Sequence, residues 1–159
     1  MIGKGKSISH GTAALEYDLA KEIDGQTAAI EIARHELYGC TGAEMVQEMK
    51  PYHADFPNVK NNCLRFEVSP SIEESATFTD ADWAELGNDF MQRMGLANHQ
   101  YIIIRHSGTE SKKEQAHLHI LANRVSLSGE LYRDNWIGKK ATEAANAIAK
   151  ERNFVQSQD

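Results

Sequence analysis

Apolar and polar positions alternate with a period of two over CLRFEVSPS, where Leu64, Phe66 and Val68 are separated by Arg65, Glu67 and Ser69. That spacing predicts a strand with one face on a core, ended at Ser69-Pro70. Two more strands are expected further on. HQYIIIRH carries a continuous apolar run, as in a central strand buried on both faces, and HLHILANRV follows it after nine polar residues, Ser107 to Gln115, and Ala116. The two read as an antiparallel hairpin.

Helical spacing appears elsewhere. Leu15, Leu19 and Ile23 predict a helix from about Thr12 to Glu22, with Ser9 or Thr12 as N-cap. Trp83, Leu86, Phe90 and Met94 form the stripe of a second, opened by Thr79-x-x-Asp82 as a capping box and closed by Gly95. Ile137, Ala141, Ala144, Ala145 and Ile148 give a last helix over Asn135–Arg152. Residues 41–53 read as a helix interrupted at Pro51, 27–36 as a helix or mixed segment, 127–129 as a turn, and 1–8 as an edge strand or mobile arm. The fold class that follows is α+β, a mostly antiparallel central sheet covered by helices.

Composition narrows this little. A chain of 159 residues with 41% apolar residues is expected to form one domain, residues 1–159, with a real core. No apolar run reaches the length of a membrane span, and Cys40 and Cys63 have no metal-type spacing, so a cytoplasmic protein with reduced thiols is expected. The net charge of −6 argues against a protein that simply coats nucleic acid. Residues 1–92 carry 7 basic and 16 acidic side chains, residues 93–159 carry 10 and 7. The positive excess therefore falls in the part that holds the predicted hairpin.

The hairpin also carries the chemistry. His117 and His119 are two apart on one strand and share a face, with Leu118 turned away. If His106 pairs with His117, and Ile104 with His119, all three imidazoles converge. Three neutral imidazoles without a carboxylate ligand leave positions open on a divalent ion, which suits polarisation of a phosphate or carbonyl oxygen rather than a closed structural zinc site. The alternative is a pair of polar residues on an exposed sheet face. On the first helix, Tyr17 lies about 200° from the Leu15–Leu19 stripe, on a side with Ala13, Ala14, Ala20 and Lys21. A large substrate can approach such a tyrosine closely; an ordinary surface tyrosine would look the same.

His106, followed by HLHILANRV, resembles the H-x-n-H-x-H-x-x-x-N signature of plasmid-mobilisation relaxases of the HUH endonuclease superfamily, and among them the MOB-P type. The order of Tyr helix, Ser strand, helix, His hairpin and closing helix is similar as well. The resemblance implies site- and strand-specific nicking and rejoining of single-stranded DNA at an origin of transfer. It implies Tyr17 as nucleophile forming a 5′-phosphotyrosine, and His106, His117 and His119 holding Mg²⁺ or Mn²⁺. Asn123, Ser69, Arg124, Lys112 and Lys113 would contact substrate, with Arg133, Lys139 and Lys140 as further phosphate candidates. Accessory mobilisation proteins and a coupling protein are the implied partners, and the chain reads as a nicking domain of the kind that forms the N-terminal part of a longer protein.

Two features depart from the family pattern: the loop after His106 is long, and the usual acidic residue close after the first histidine is missing. Glu110, Glu114 or Glu67 is expected to supply that carboxylate. Two rival readings stand beside this one. A cupin-like metal enzyme shares the H-x-H spacing, but Asn123 stands where its Glu ligand belongs and the chain has many helices. A non-catalytic DNA-binding accessory protein is the other.

Overall fold

The computed structural model describes residues 1–108 and 115–156. In chain order the elements are β1 (Ile2–Ile8), α1 (Gly11–Leu19), β2 (Glu22–Ile23), β3 (Gln26–Thr27), β4 (Ala29–His35) and α2 (Gly42–Met49), the last running into a 3₁₀ turn, Lys50–His53. Then come β5 (Cys63–Ser69), α3 (Ile72–Ser75), α4 (Asp80–Arg93), β6 (Tyr101–His106), β7 (His117–Asn123) and α5 (Ile137–Glu151). Five strands form one antiparallel sheet in the order β1-β5-β7-β6-β4, and β2 and β3 make a separate hairpin.

Helices cover both faces, as the α+β expectation required. On one face α4 and α5 pack Trp83, Leu86, Phe90, Ala141, Ala145 and Ile148 against Leu64, Phe66, Val68, Ile103, Leu118 and Ile120. On the other, α1 and α2 bring Ala14, Leu15, Met45 and Met49 onto Cys63, Ile102, Ile104 and Leu121. Each large side chain fully buried in these layers contributes roughly 1.5–3 kcal/mol. The expected capping box of Thr79 and Asp82 forms at α4, and Thr41 and Glu44 make another at α2.

Three sequence expectations are corrected. Residues 29–35 form a strand, although Ala, Glu and Arg favour helix. The segment closes the edge of β6, from Ala29 opposite His106 to His35 opposite Tyr101, and that pairing outweighs local propensity. The first helix stops at Leu19 and Ile23 enters the β2–β3 hairpin, turned by Asp24 and Gly25 at positive φ. Its N-cap is His10, with no side-chain cap, rather than Ser9 or Thr12. Finally, the middle strand of the sheet is β7; the apolar YIII run lies in β6, next to the edge strand β4.

The opening residues are ordered as an edge strand. Gly3 and Gly5 alternate with Lys4 and Lys6. A side chain at Gly3 would come within 2.8 Å of Ala145 Cβ, and one at Gly5 within 2.7 Å of the Phe66 ring, so glycine lets α5 and the core close on that face. The lysines then project to the opposite face, the one carrying α1.

Candidate active site

The predicted hairpin register is observed. His106 pairs with His117, and Ile104 with His119. Directly paired residues of an antiparallel ladder project to the same side, and so do residues two apart on a strand. All three imidazoles therefore stand on the face covered by α1. Their ring centroids are 4.2 Å (His106–His119), 4.8 Å (His117–His119) and 5.5 Å (His106–His117) apart. One nitrogen from each lies within 4.8 Å of the other two.

The surroundings disfavour the charged form of His106 and His119. Burial pushes His119 down to about 2, helped by the neighbouring His106, His117, Arg65 and Lys21, and burial lowers His106 as well. His106 Nε2 donates to the main-chain carbonyl of Asp18 at 2.8 Å. A carbonyl only accepts, so the lone pair of His106 is on Nδ1. His117 Nδ1 lies 3.3 Å from the Gln115 carbonyl, and His117 Nε2 is 3.0 Å from His119 Nε2. A trio with two rings buried and the third nearly so, each turning one nitrogen toward the other two, is a donor set that fits a divalent ion.

Tyr17 reaches the same place from above. It is 60% exposed, and it lines a cleft of about 190 Å³ together with Lys21, Glu67, His106, Gly108, His117 and His119. Lys21 Nζ donates to the Tyr17 hydroxyl at 3.3 Å. On the inner side of the same helix Asp18 is 1% exposed, and Arg65 holds its carboxylate through Nη2–Oδ1 at 2.5 Å and Nε–Oδ2 at 3.3 Å.

The expected substrate contacts are scattered. Ser69 lies on the face of Glu67, one residue pair further along β5, and lines a separate cavity with Lys4 and Gln115. Asn123, four residues beyond His119, is fully buried and faces no cleft. Its Nδ2 donates to Met49 O and Gln100 Oε1, while its Oδ1 meets His53 Nε2 and Val125 N. Arg124, expected to hold phosphate, is spent on Tyr132 O, Asn61 O and Asp134. Lys140 lies over the Tyr132 ring near Arg133 O, in the same region. Lys112, Lys113, Glu110 and Glu114 lie outside the described residues.

Among the described residues, the basic groups that reach the site come from the acidic half of the sequence. Lys4 pairs across the sheet with Glu67, and Glu67 with His119. Lys4, Lys6, Arg65, Glu67 and His119 line a cleft of about 230 Å³ that continues from the histidines to the β1 edge. The signal was the Gly-Lys alternation in residues 3–6, whose meaning depends on which strand β1 joins. Asp18 was legible too, as a carboxylate three residues after Leu15 on a core-facing helix stripe.

A family model described as relaxase, MobA/VirD2-like, nuclease domain, matches residues 17–154. The chain belongs to this relaxase family. The matched span begins at Tyr17 and includes all three site histidines. A solved structure reported as the molecular basis of vancomycin resistance transfer in Staphylococcus aureus contains a chain of similar fold, with a TM-score of 0.52 at 14% identity over 99% of this chain and 97% of that one. No curated protein matches the relaxase in sequence. The architecture matches that neighbour, and among the described residues no helix is long and apolar enough to cross a membrane.

Proposed function

We propose that this relaxase domain nicks and rejoins one DNA strand at an origin of transfer through a covalent bond to Tyr17, as a MOB-P type enzyme of a mobile element. The observation that carries the reading is the single cleft shared by Tyr17 and His106, His117 and His119. The three histidines would hold Mg²⁺ or Mn²⁺, which when bound offsets negative charge on the scissile phosphate.

The rest is the work of the chain's own side chains. The Tyr17 oxygen attacks phosphorus, losing its proton to water at the open mouth of the cleft. The bond from phosphorus to the 3′-oxygen breaks, and that oxygen leaves as a 3′-hydroxyl after taking up a proton. A 5′-phosphotyrosine remains. Lys21, already hydrogen-bonded to the phenol, holds the ring and offsets charge at the attacking oxygen. Because the phosphodiester is exchanged rather than hydrolysed, attack by a 3′-hydroxyl on the phosphotyrosine reseals the strand. Ser69 sits where the strand could pass the end of β5. Asn123 fixes the sheet beneath the site through its buried amide. Accessory mobilisation proteins and a coupling protein are the proposed partners, and residues 1–159 the nicking unit.

The test is direct. Single-stranded origin DNA and Mn²⁺ should give a denaturation-resistant protein–DNA adduct that is lost in Tyr17→Phe. An adduct that survives Tyr17→Phe assigns the nucleophile to another residue, and no adduct on any origin strand with metal bound favours the accessory-protein reading.

A further inference from the structure

We infer that Asp18 is the positioning residue of the histidine trio, setting the ring orientation of two of its members while tying them to the helix that carries Tyr17. The inference rests on the reading of the trio as a metal-holding set.

Burial motivates it first. Asp18 is a carboxylate at 1% exposure on the stripe of α1 that otherwise packs Ala14 and Leu15. Burying a charge is costly unless it is paired, and a well-packed apolar pair at such a site is often at least as stable as the ion pair. Stability alone therefore gives weak reason for Asp18 and Arg65 to occupy this position.

Their neighbours give a better one. The main-chain carbonyl of Asp18 accepts from His106 Nε2 at 2.8 Å, which leaves His106 Nδ1 with the lone pair. Its carboxylate Oδ1 lies 3.9 Å from His119 Nδ1, a gap that a movement of ~1 Å closes to a hydrogen bond. A proton on His119 Nδ1 leaves Nε2 as the donor atom, and Nε2 is the atom that already faces His117 Nε2 at 3.0 Å. His117 Nδ1 lies near the Gln115 carbonyl, so each ring has an acceptor at its outer nitrogen. In the metal-free protein His117 Nε2 donates to His119 Nε2, and that proton would pass to His117 Nδ1 on metal binding, freeing the third inner nitrogen. Asp18 supplies two of these three acceptors. Arg65 gripping both carboxylate oxygens prevents the side chain from turning inward as a ligand itself. The acidic residue absent after His106 in the chain is thus replaced, in space, by one from the nucleophile's helix. Glu67, though opposite His119, makes no hydrogen bond or ion pair with it among the described residues.

The test replaces the pair rather than breaking it. Asp18→Leu with Arg65→Met removes both charges, leaves no orphan guanidinium and should stay folded. Mn²⁺ affinity, read from the electron spin resonance of free Mn²⁺, should weaken 10- to 100-fold, the usual cost of losing such an orienting partner. Nitrogen-15 histidine spectra of the metal-free protein supply the second readout. His119 should be protonated on Nδ1 in the wild type and shift toward Nε2 in the double variant. His106 should be unchanged, because its partner is main chain and survives the substitution. A folded double variant that binds Mn²⁺ within twofold of wild type, or a His119 tautomer the same in both proteins, overturns the assignment. Wild-type protein that binds no Mn²⁺ would sink the metal-holding reading itself, and the tautomer comparison would still decide the role of Asp18.

Discussion

Lys21 stands four residues beyond Tyr17, past the end of α1, and donates a hydrogen bond to its hydroxyl at 3.3 Å with the ammonium 5.5 Å from the ring centre. The contact is partly solvated, so its worth is that of a surface charge, at most about 1 kcal/mol. Lys21→Met is expected to slow single-turnover nicking by about three- to fivefold with Mn²⁺ affinity unchanged. Lys21→Arg should restore most of the rate. An unaltered rate in Lys21→Met would remove this residue from the mechanism.

The trio should be visible as a source of stability. A ligand at a hundred times its dissociation constant adds about 2.7 kcal/mol to a folded protein that binds it. Saturating Mn²⁺ should therefore raise the melting temperature of the wild type, and His119→Ala should abolish the shift without lowering the melting temperature of the metal-free protein by a similar amount. The comparison is made by thermal melts with and without chelator.

Lys4 and Lys6 line the cleft that runs from His119 to the β1 edge. If each neutralises one phosphate of a single strand, each adds about 0.7 to the slope of log affinity against log salt. Lys4→Ala with Lys6→Ala should lower that slope by about 1.4, while Arg133→Ala, a residue by Tyr132 at a different cavity, should leave it unchanged. Equal slopes for wild type and the lysine double variant would place the strand elsewhere.

Burial lowers His99, His106 and His119, the last to about 2. Above the ordinary imidazole value of about 6.5 neither the folded nor the unfolded chain binds these protons, so stability is complete there. Below it the unfolded chain takes up protons that the folded chain refuses, and stability falls as pH falls toward the folded values. Urea unfolding of the metal-free protein should show a loss between about pH 6.5 and 5, of no more than about 1.4 kcal/mol per pH unit per histidine. Constant stability over that window would contradict the burial of these rings.

Asn123 distinguishes a packing role from a substrate role. Asn123→Ala strands Gln100, His53 and the Met49 carbonyl around a buried hole. A cost of roughly 2–4 kcal/mol in unfolding free energy is expected, with single-strand affinity of the folded fraction unchanged. A loss of affinity without loss of stability would return Asn123 to the substrate.

Local pattern was enough for much of this protein. The alternation in Cys63–Ser69, the stripes of α4 and α5, the capping box of α4 and the shared face of His117 and His119 follow from periods of two and 3.6, because side-chain direction along a strand or helix is fixed by backbone geometry. His106 joins them on that face through the observed pairing of His106 with His117. Where local preference and pairing disagree, sequence misleads: Ala29–His35 has helix-favouring residues but serves as the strand beside His106, since an open sheet edge gains more from backbone pairing than the segment gains from its own propensity. Charge is read less directly. Among the described residues, Arg124 and Lys140 go to Asp134, main-chain carbonyls and the Tyr132 ring, while Lys4, Lys6, Lys21 and Arg65, from the acidic half, line the clefts. Only the sheet order β1-β5-β7 and the seating of α1 over β7 decide that, and they also bring Asp18 to the two histidines. Which face a residue occupies is a local property, readable from the chain; which other element meets that face is set by long-range packing, and no period in the sequence records it.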